Sequence, residues 1–144
     1  MVAMYLESQF DVMMPREIVV NAVSQEETLL NLFPDTRVEI IKSEGNKRTL
    51  LTHYTALGQE GTATFHFTFE DDGGISFSKV CDGRIWKKLT GTVTFTTLGI
   101  VTRVHIKYVG TTKALVPEFT IHGPMQDQID QTAHALRKII ENAA

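Results

Sequence analysis

The sequence predicts an α+β domain: one N-terminal strand, two short helices, six strands in an antiparallel meander and a single long C-terminal helix. Three observations predict it. Strand-like and helix-like segments are segregated along the chain instead of alternating, which argues against a doubly wound α/β sheet. From Arg37 to Gly110 apolar and polar residues alternate with a period of two between recognisable turns, as strands with one buried face do. From Pro117 to Asn142 the apolar residues recur instead at helical spacing.

The first strand spans Met4 to Val12, where Leu6, Phe10 and Val12 alternate with Glu7, Gln9 and Asp11. Pro15 suits a first helical position, and Glu17 places an acid in the first turn, where the helix dipole favours it. Ile18, Val19, Ala22 and Val23 supply the apolar face of that helix. Ser24-Gln25-Glu26-Glu27 has the form of a capping box and is expected to start a second helix. Leu29, Leu30, Leu32 and Phe33 anchor it, and Pro34-Asp35 ends it.

Breaks at Glu44–Lys47, Gly58–Gly61, Asp71–Gly74, Asp82-Gly83 and Leu98–Ile100 divide the meander, with Asp-Gly a strong hairpin signal. A loop around Gln59-Glu60 pairs Tyr54 with Phe65, Thr52 with Phe67, Leu50 with Phe69 and His53 with His66. One face is then apolar and the other carries His53, Thr55, Thr62, Thr64, His66 and Thr68. A two-residue turn at Gly99-Ile100 pairs Phe95 with Val104 and Val93 with Ile106, with Tyr108 on the same inner face. Between Asp72 and Leu89 two registers stay open. A three-residue Asp72-Gly73-Gly74 loop turns Ile75, Phe77, Lys79 and Trp86 inward and needs a further bulge before Leu89. A two-residue turn faces Val80, Ile85 and Leu89 inward instead.

On the last helix Ile121, Met125, Ile129, Thr132, Leu136, Ile139 and Ile140 share one face. Gly123-Pro124 interrupts the pattern, and a kink or a separate first turn is expected there. One long helix over a twisted, one-sided sheet leaves a lined cavity as the natural expectation.

Composition bounds the function. The 144 residues carry a net charge of −3, 42% hydrophobic and 22% charged residues, ordinary values for one globular domain. There is no basic footprint for nucleic acid and no apolar run long enough for stable membrane insertion. The start lacks a basic region and a signal-length apolar run, and the lone Cys81 suits a reducing compartment. A complete, cytoplasmic protein is the expectation.

Four stretches carry a resemblance: Phe10-Asp11-Val12 running into Pro15, Leu32-Phe33-Pro34-Asp35, Cys81-Asp82-Gly83-Arg84-Ile85-Trp86, and Gly123-Pro124-Met125. With the order of elements, the whole chain resembles the helix-grip superfamily. That superfamily includes START lipid-transfer domains, birch-pollen-allergen-type proteins, polyketide cyclases/aromatases and coenzyme Q-binding proteins. The resemblance implies a seven-stranded curved antiparallel sheet and an apolar ligand held between it and the C-terminal helix. Transferred by position, the lining is Tyr54, Phe65, Phe67, Phe69, Phe77, Phe95, Tyr108, Phe119, Met125, Ile129, Thr132 and Leu136. Each of these is equally an ordinary core residue. A fold shared by many functions does not name a substrate.

Catalytic signals are sparse. Tyr54, Tyr108 and Lys79 are the candidate acid–base groups, and Thr52, Thr132 and Gln128 are candidate polar contacts to a ligand. An inward Lys79 suits a base or a site for an acidic head group. His53 and His66 form an expected cross-strand pair on the polar face, short of the three or four ligands zinc takes. No nucleophile, phosphate-loop or metalloprotease motif occurs, and neither a metal nor another cofactor is expected. The leading expectation is a protein that binds a hydrophobic small molecule or lipid. A cyclase-, aromatase- or dehydratase-type enzyme and a protein-partner module are the rivals.

Overall fold

The computed structural model describes residues 4–32, 37–56, 59–81, 86–113 and 118–143, the side chains of 54–56, 59 and 118 excepted. In chain order these form β1 (Met4–Val12), α1 (Arg16–Val23), α2 (Glu26–Asn31), β2 (Arg37–Glu44), β3 (Lys47–Ala56), β4 (Gln59–Phe69), β5 (Ile75–Lys79), β6 (Trp86–Leu98), β7 (Val101–Thr112) and α3 (Glu118–Ala143). The seven strands make one antiparallel sheet in the order β1-β7-β6-β5-β4-β3-β2. The N-terminal strand therefore lies against the last one, and β1 and β2 are the edges. The Asp82-Gly83 turn, Phe33-Pro34-Asp35 and Pro117 lie outside the described residues.

The β6–β7 register agrees with the sequence reading, with Phe95 opposite Val104 and Val93 opposite Ile106. The open register resolves to the inward set of the first alternative, with Ile75, Phe77 and Trp86 all buried. The connection, however, runs from Glu70 to Gly74 with Phe69 opposite Ile75 and is not the three-residue Asp72-Gly73-Gly74 loop. The bulge that this register needs falls between Trp86 and Lys88, so Leu89 is buried as well. The β3–β4 register differs from expectation. Leu50 faces Phe65, Thr52 faces Ala63 and Tyr54 faces Gly61, because the strands pair as far as Ala56 and Gln59. The slip is an even number of residues, so every side chain keeps its face; Leu50, Thr52 and Phe67 are buried as expected. The predicted His53–His66 pair is lost, since His53 now lies opposite Thr62 and His66 opposite Thr49.

The capping box does not form. Ser24 instead ends α1, its N–H donating to Val20 O at 3.0 Å and its hydroxyl to Asn21 O at 3.1 Å. Gln25 precedes α2 without a side-chain cap. Pro15 caps α1 from just outside, its carbonyl accepting from the N–H groups of Ile18 and Val19. Val19, Ala22, Val23, Leu29 and Leu32 are buried, whereas Ile18 and Leu30 are exposed.

These helices close one end of the sheet. Arg16 donates to the carbonyls of Phe95 and Asp72, and Glu26 on α2 pairs with Arg48 on β3 at 2.6 Å. The tight turns 45–46, 70–74 and 99–100 are at this capped end. At the other end stand Met4, Lys79, Trp86 and Thr112, with the first turns of α3. Helix α3 runs in the direction of β1: Gln126 donates to Glu7 O at 3.1 Å and Arg137 to Asp11 O at 3.4 Å. The helix continues through Pro124 without a separate first turn. It closes chiefly on β1, then on α1, β7 and α2, and among the described residues makes no comparable backbone approach to β3, β4 or β5. None of the described helices is long and apolar enough to cross a membrane.

Candidate ligand-binding site on the inner sheet face

Alternation on β4, β5 and β7 brings four aromatic rings to the inner face. Phe67 and Phe77 are cross-strand partners, and their rings stack at 5.2 Å and 25°. Phe65 meets Phe77 edge-on at 5.9 Å, and Tyr108 meets Phe77 at 5.2 Å and 86°. Both offset-stacked and edge-to-face pairs suit the aromatic quadrupole.

The Phe77–Tyr108 contact spans a strand, since β6 lies between β5 and β7. It is possible because Gly91 stands between them in register. A Cβ at position 91 would sit 2.1 Å from Phe77 Cε1, so the ring fills the space a side chain would take. Gly110 serves Trp86 in the same way, where an added Cβ would fall 2.3 Å from Cζ3 of the indole. Neither glycine was singled out from the sequence. The signal was present, because a glycine inside a strand pattern marks a close approach.

Among the expected lining residues, Phe67, Phe77, Phe95, Tyr108, Ile129, Thr132 and Leu136 are buried, and Phe65, Phe69 and Met125 are partly buried against the same core. The structure does not bring all of them to one place. Phe69 and Phe95 lie toward the capped end, with the Arg48 guanidinium 5.9 Å from the Phe69 ring and the Phe95 carbonyl bound by Arg16. Phe119 departs from expectation: it is 83% exposed at the start of α3, outside the arc of the helix that meets the core. The Tyr54 side chain lies outside the described residues.

The buried polar groups are satisfied within the protein. Thr52 donates to Ala63 O and Thr132 to Gln128 O, each at 3.0 Å. The Tyr108 phenol and the Thr132 hydroxyl are hydrogen-bond partners. Burial pushes the Tyr108 phenol above its ordinary pKa, and the hydrogen bond with Thr132 offsets part of that rise. Tyr108 is therefore held as a neutral phenol at physiological pH, a donor and not a base. Gln128 is exposed, contrary to expectation, because it lies outside the core-facing arc of α3 that carries Ile129 and Thr132.

Lys79 occupies an inner-face position opposite Phe65 and is partly buried. Cys81, also partly buried, donates its thiol to Lys79 O at 3.6 Å. On the outer face His53 bonds Glu39 at 2.9 Å, holding that carboxyl below its ordinary pKa, and His66 bonds Thr49 at 3.1 Å. An open depression of about 450 Å³ on this outer face is lined by His66, Ser76, Ser78, Thr90, Thr92 and Lys107, among others. It is open to solvent, so it offers little desolvation to an apolar ligand.

No protein-family profile and no curated protein matches the chain. Solved structures do match it end to end. The protein TTHA0849 from Thermus thermophilus superposes with a TM-score of 0.79 at 16% identity, covering 98% of this chain and 99% of that one. The Zhui aromatase/cyclase from Streptomyces sp. R1128 gives 0.77 at 16% identity, with 99% and 94% covered. A START superfamily protein from Mycobacterium smegmatis gives 0.75 at 17% identity, with 97% and 99% covered. At such identities the likeness is one of fold. A seven-stranded antiparallel sheet with two short helices at one end and a long C-terminal helix across its inner face is the helix-grip fold, and this chain adopts it.

Proposed function

We propose that the protein binds a hydrophobic small molecule or lipid between the inner face of its sheet and α3. One observation carries the reading: α3 closes on β1 and β7, while β4 and β5 present an aromatic wall to which the helix backbone makes no such approach. Phe65, Met125 and Ile121 are only partly buried against the core, which supports a ligand covering apolar surface on the inner side. Removing such surface from water contributes roughly 25 cal/mol per Å², before the cost of ordering the ligand.

The fold agrees with this reading, since the matched proteins include a START-related lipid transfer protein and aromatase/cyclases. Among the buried hydroxyls, the bonds already made favour binding over acid–base catalysis. Thr52 and Thr132 are committed to backbone carbonyls, and Tyr108 is committed to Thr132.

Native mass spectrometry of the purified protein, with denaturing extraction of anything bound, is the direct test. A stoichiometric lipophilic adduct is expected. Phe65→Ala on the inner wall should then weaken rebinding of the extracted molecule several-fold, while His66→Ala, one residue away on the opposite face, should leave it unchanged. A clean unliganded mass after incubation with mixed lipids and fused-ring aromatics, or equal affinity in both variants, would overturn the assignment.

A further inference from the structure

Nearly every partly buried cation in the described structure has a partner that explains its position. Arg16 is held by the carbonyls of Phe95 and Asp72, Arg48 by Glu26, Arg103 by Asp11, and the Lys107 ammonium lies 5.4 Å from the centre of the Tyr5 ring. Lys79 is the exception. Among the described residues it enters no ion pair, side-chain hydrogen bond or ring contact, yet it is partly buried.

Its place gives this meaning. Along β5 the alternation Ile75, Phe77, Lys79 runs down the inner face, from the capped end toward the opposite one. Phe65, its cross-strand partner, belongs to the aromatic wall. The other inner-face cation, Arg48, is neutralised at the capped end by Glu26. The inner face thus has an apolar interior and, among the described residues, one uncompensated positive charge toward the end away from the short helices. With no counter-ion among the described residues, the Lys79 ammonium is available to a ligand that supplies the counter-charge.

We infer that the ligand is an amphipathic organic anion. Its acidic group meets Lys79 at the end away from the short helices, and its apolar body lies against the partly buried Phe65. This rests on the binding site proposed above and adds the ligand's charge and its direction. Phosphate esters and carboxylates share this chemistry; a carboxylate head is the simplest probe of it.

Decanoate and 1-decanol have the same chain length and differ in the charged head, so calorimetric titration of both at pH 7.5 separates the two contributions. The expected result is that the native protein binds decanoate about tenfold more tightly than decanol, the scale of one charge-assisted hydrogen bond. Lys79→Met, which keeps the apolar stem, should abolish that preference and leave decanol affinity unchanged. Lys79→Arg should keep the preference. Equal affinity of the native protein for the two probes, or a Lys79→Met variant that retains the preference, overturns the assignment of Lys79 while leaving the apolar site intact. Binding of neither probe overturns the site itself.

Discussion

Phe77 reaches Tyr108 across an intervening strand because the residue between them has no side chain. The consequence is a sharp dependence on Gly91. With Phe77 Cε1 only 2.1 Å from an added Cβ, Gly91→Ala must expel the ring or bend β6. Such overpacking costs typically about 1–3 kcal/mol, to be read as a lower urea midpoint at unchanged slope. A midpoint within error of the native one would mean the wall has slack the structure does not reveal. Tyr108 gives a second test at this scale, in pH. Its folded pKa lies above the ordinary value of 10.0, so the folded state holds the phenolic proton longer than the unfolded chain does. That contribution is complete below pH 10 and declines as pH rises beyond it. Tyr108→Phe should therefore lose less stability between pH 9 and pH 11 than the native protein, in parallel urea melts. Near neutral pH the same substitution forfeits the bond with Thr132, a loss of about 1 kcal/mol.

Among the elements, α3 carries the burden of closing the fold. Ile129, Leu136 and Ile140 recur at helical spacing and are essentially inaccessible to solvent, whereas Phe119, on the same chain segment, stands in water. Pro124 sits inside the helix with its ring exposed. It removes one backbone donor and crowds the preceding turn, a cost of up to about 3 kcal/mol against alanine. Pro124→Ala is expected to raise the thermal midpoint; a lowered midpoint would show that the proline shapes the packing of Ile121 and Met125. The β3–β4 hairpin shows why registers read from turns are fragile. Gly58-Gln59-Glu60-Gly61 has turn composition, yet Gln59 to Phe69 is strand. The pleat has a period of two, so the inner and outer faces survived an even slip while each cross-strand partner changed.

Across the whole molecule, the two short helices close one end of the grip, opposite the end where Trp86, Lys79 and the first turns of α3 stand. A ligand bound only by the folded state would stabilise it by RT ln(1 + [L]/Kd), about 2.7 kcal/mol at a hundredfold excess over Kd. The sequence by itself determined the class and order of elements, the inner and outer faces of the strands outside residues 72–89, and the core-facing arc of α3. Those follow from periodicity, which is local and survives any packing. It also carried the Trp86–Lys88 bulge as a requirement of the register that buries both Trp86 and Leu89. Only the tertiary structure decided which of the two registers from Asp72 to Leu89 is used, that Ser24 ends one helix instead of capping the next, that Gly91 and Gly110 lie under aromatic rings, and that Lys79 has no counter-charge among the described residues. Each of these depends on what a distant part of the chain brings to the spot, and no spacing within a single element encodes that.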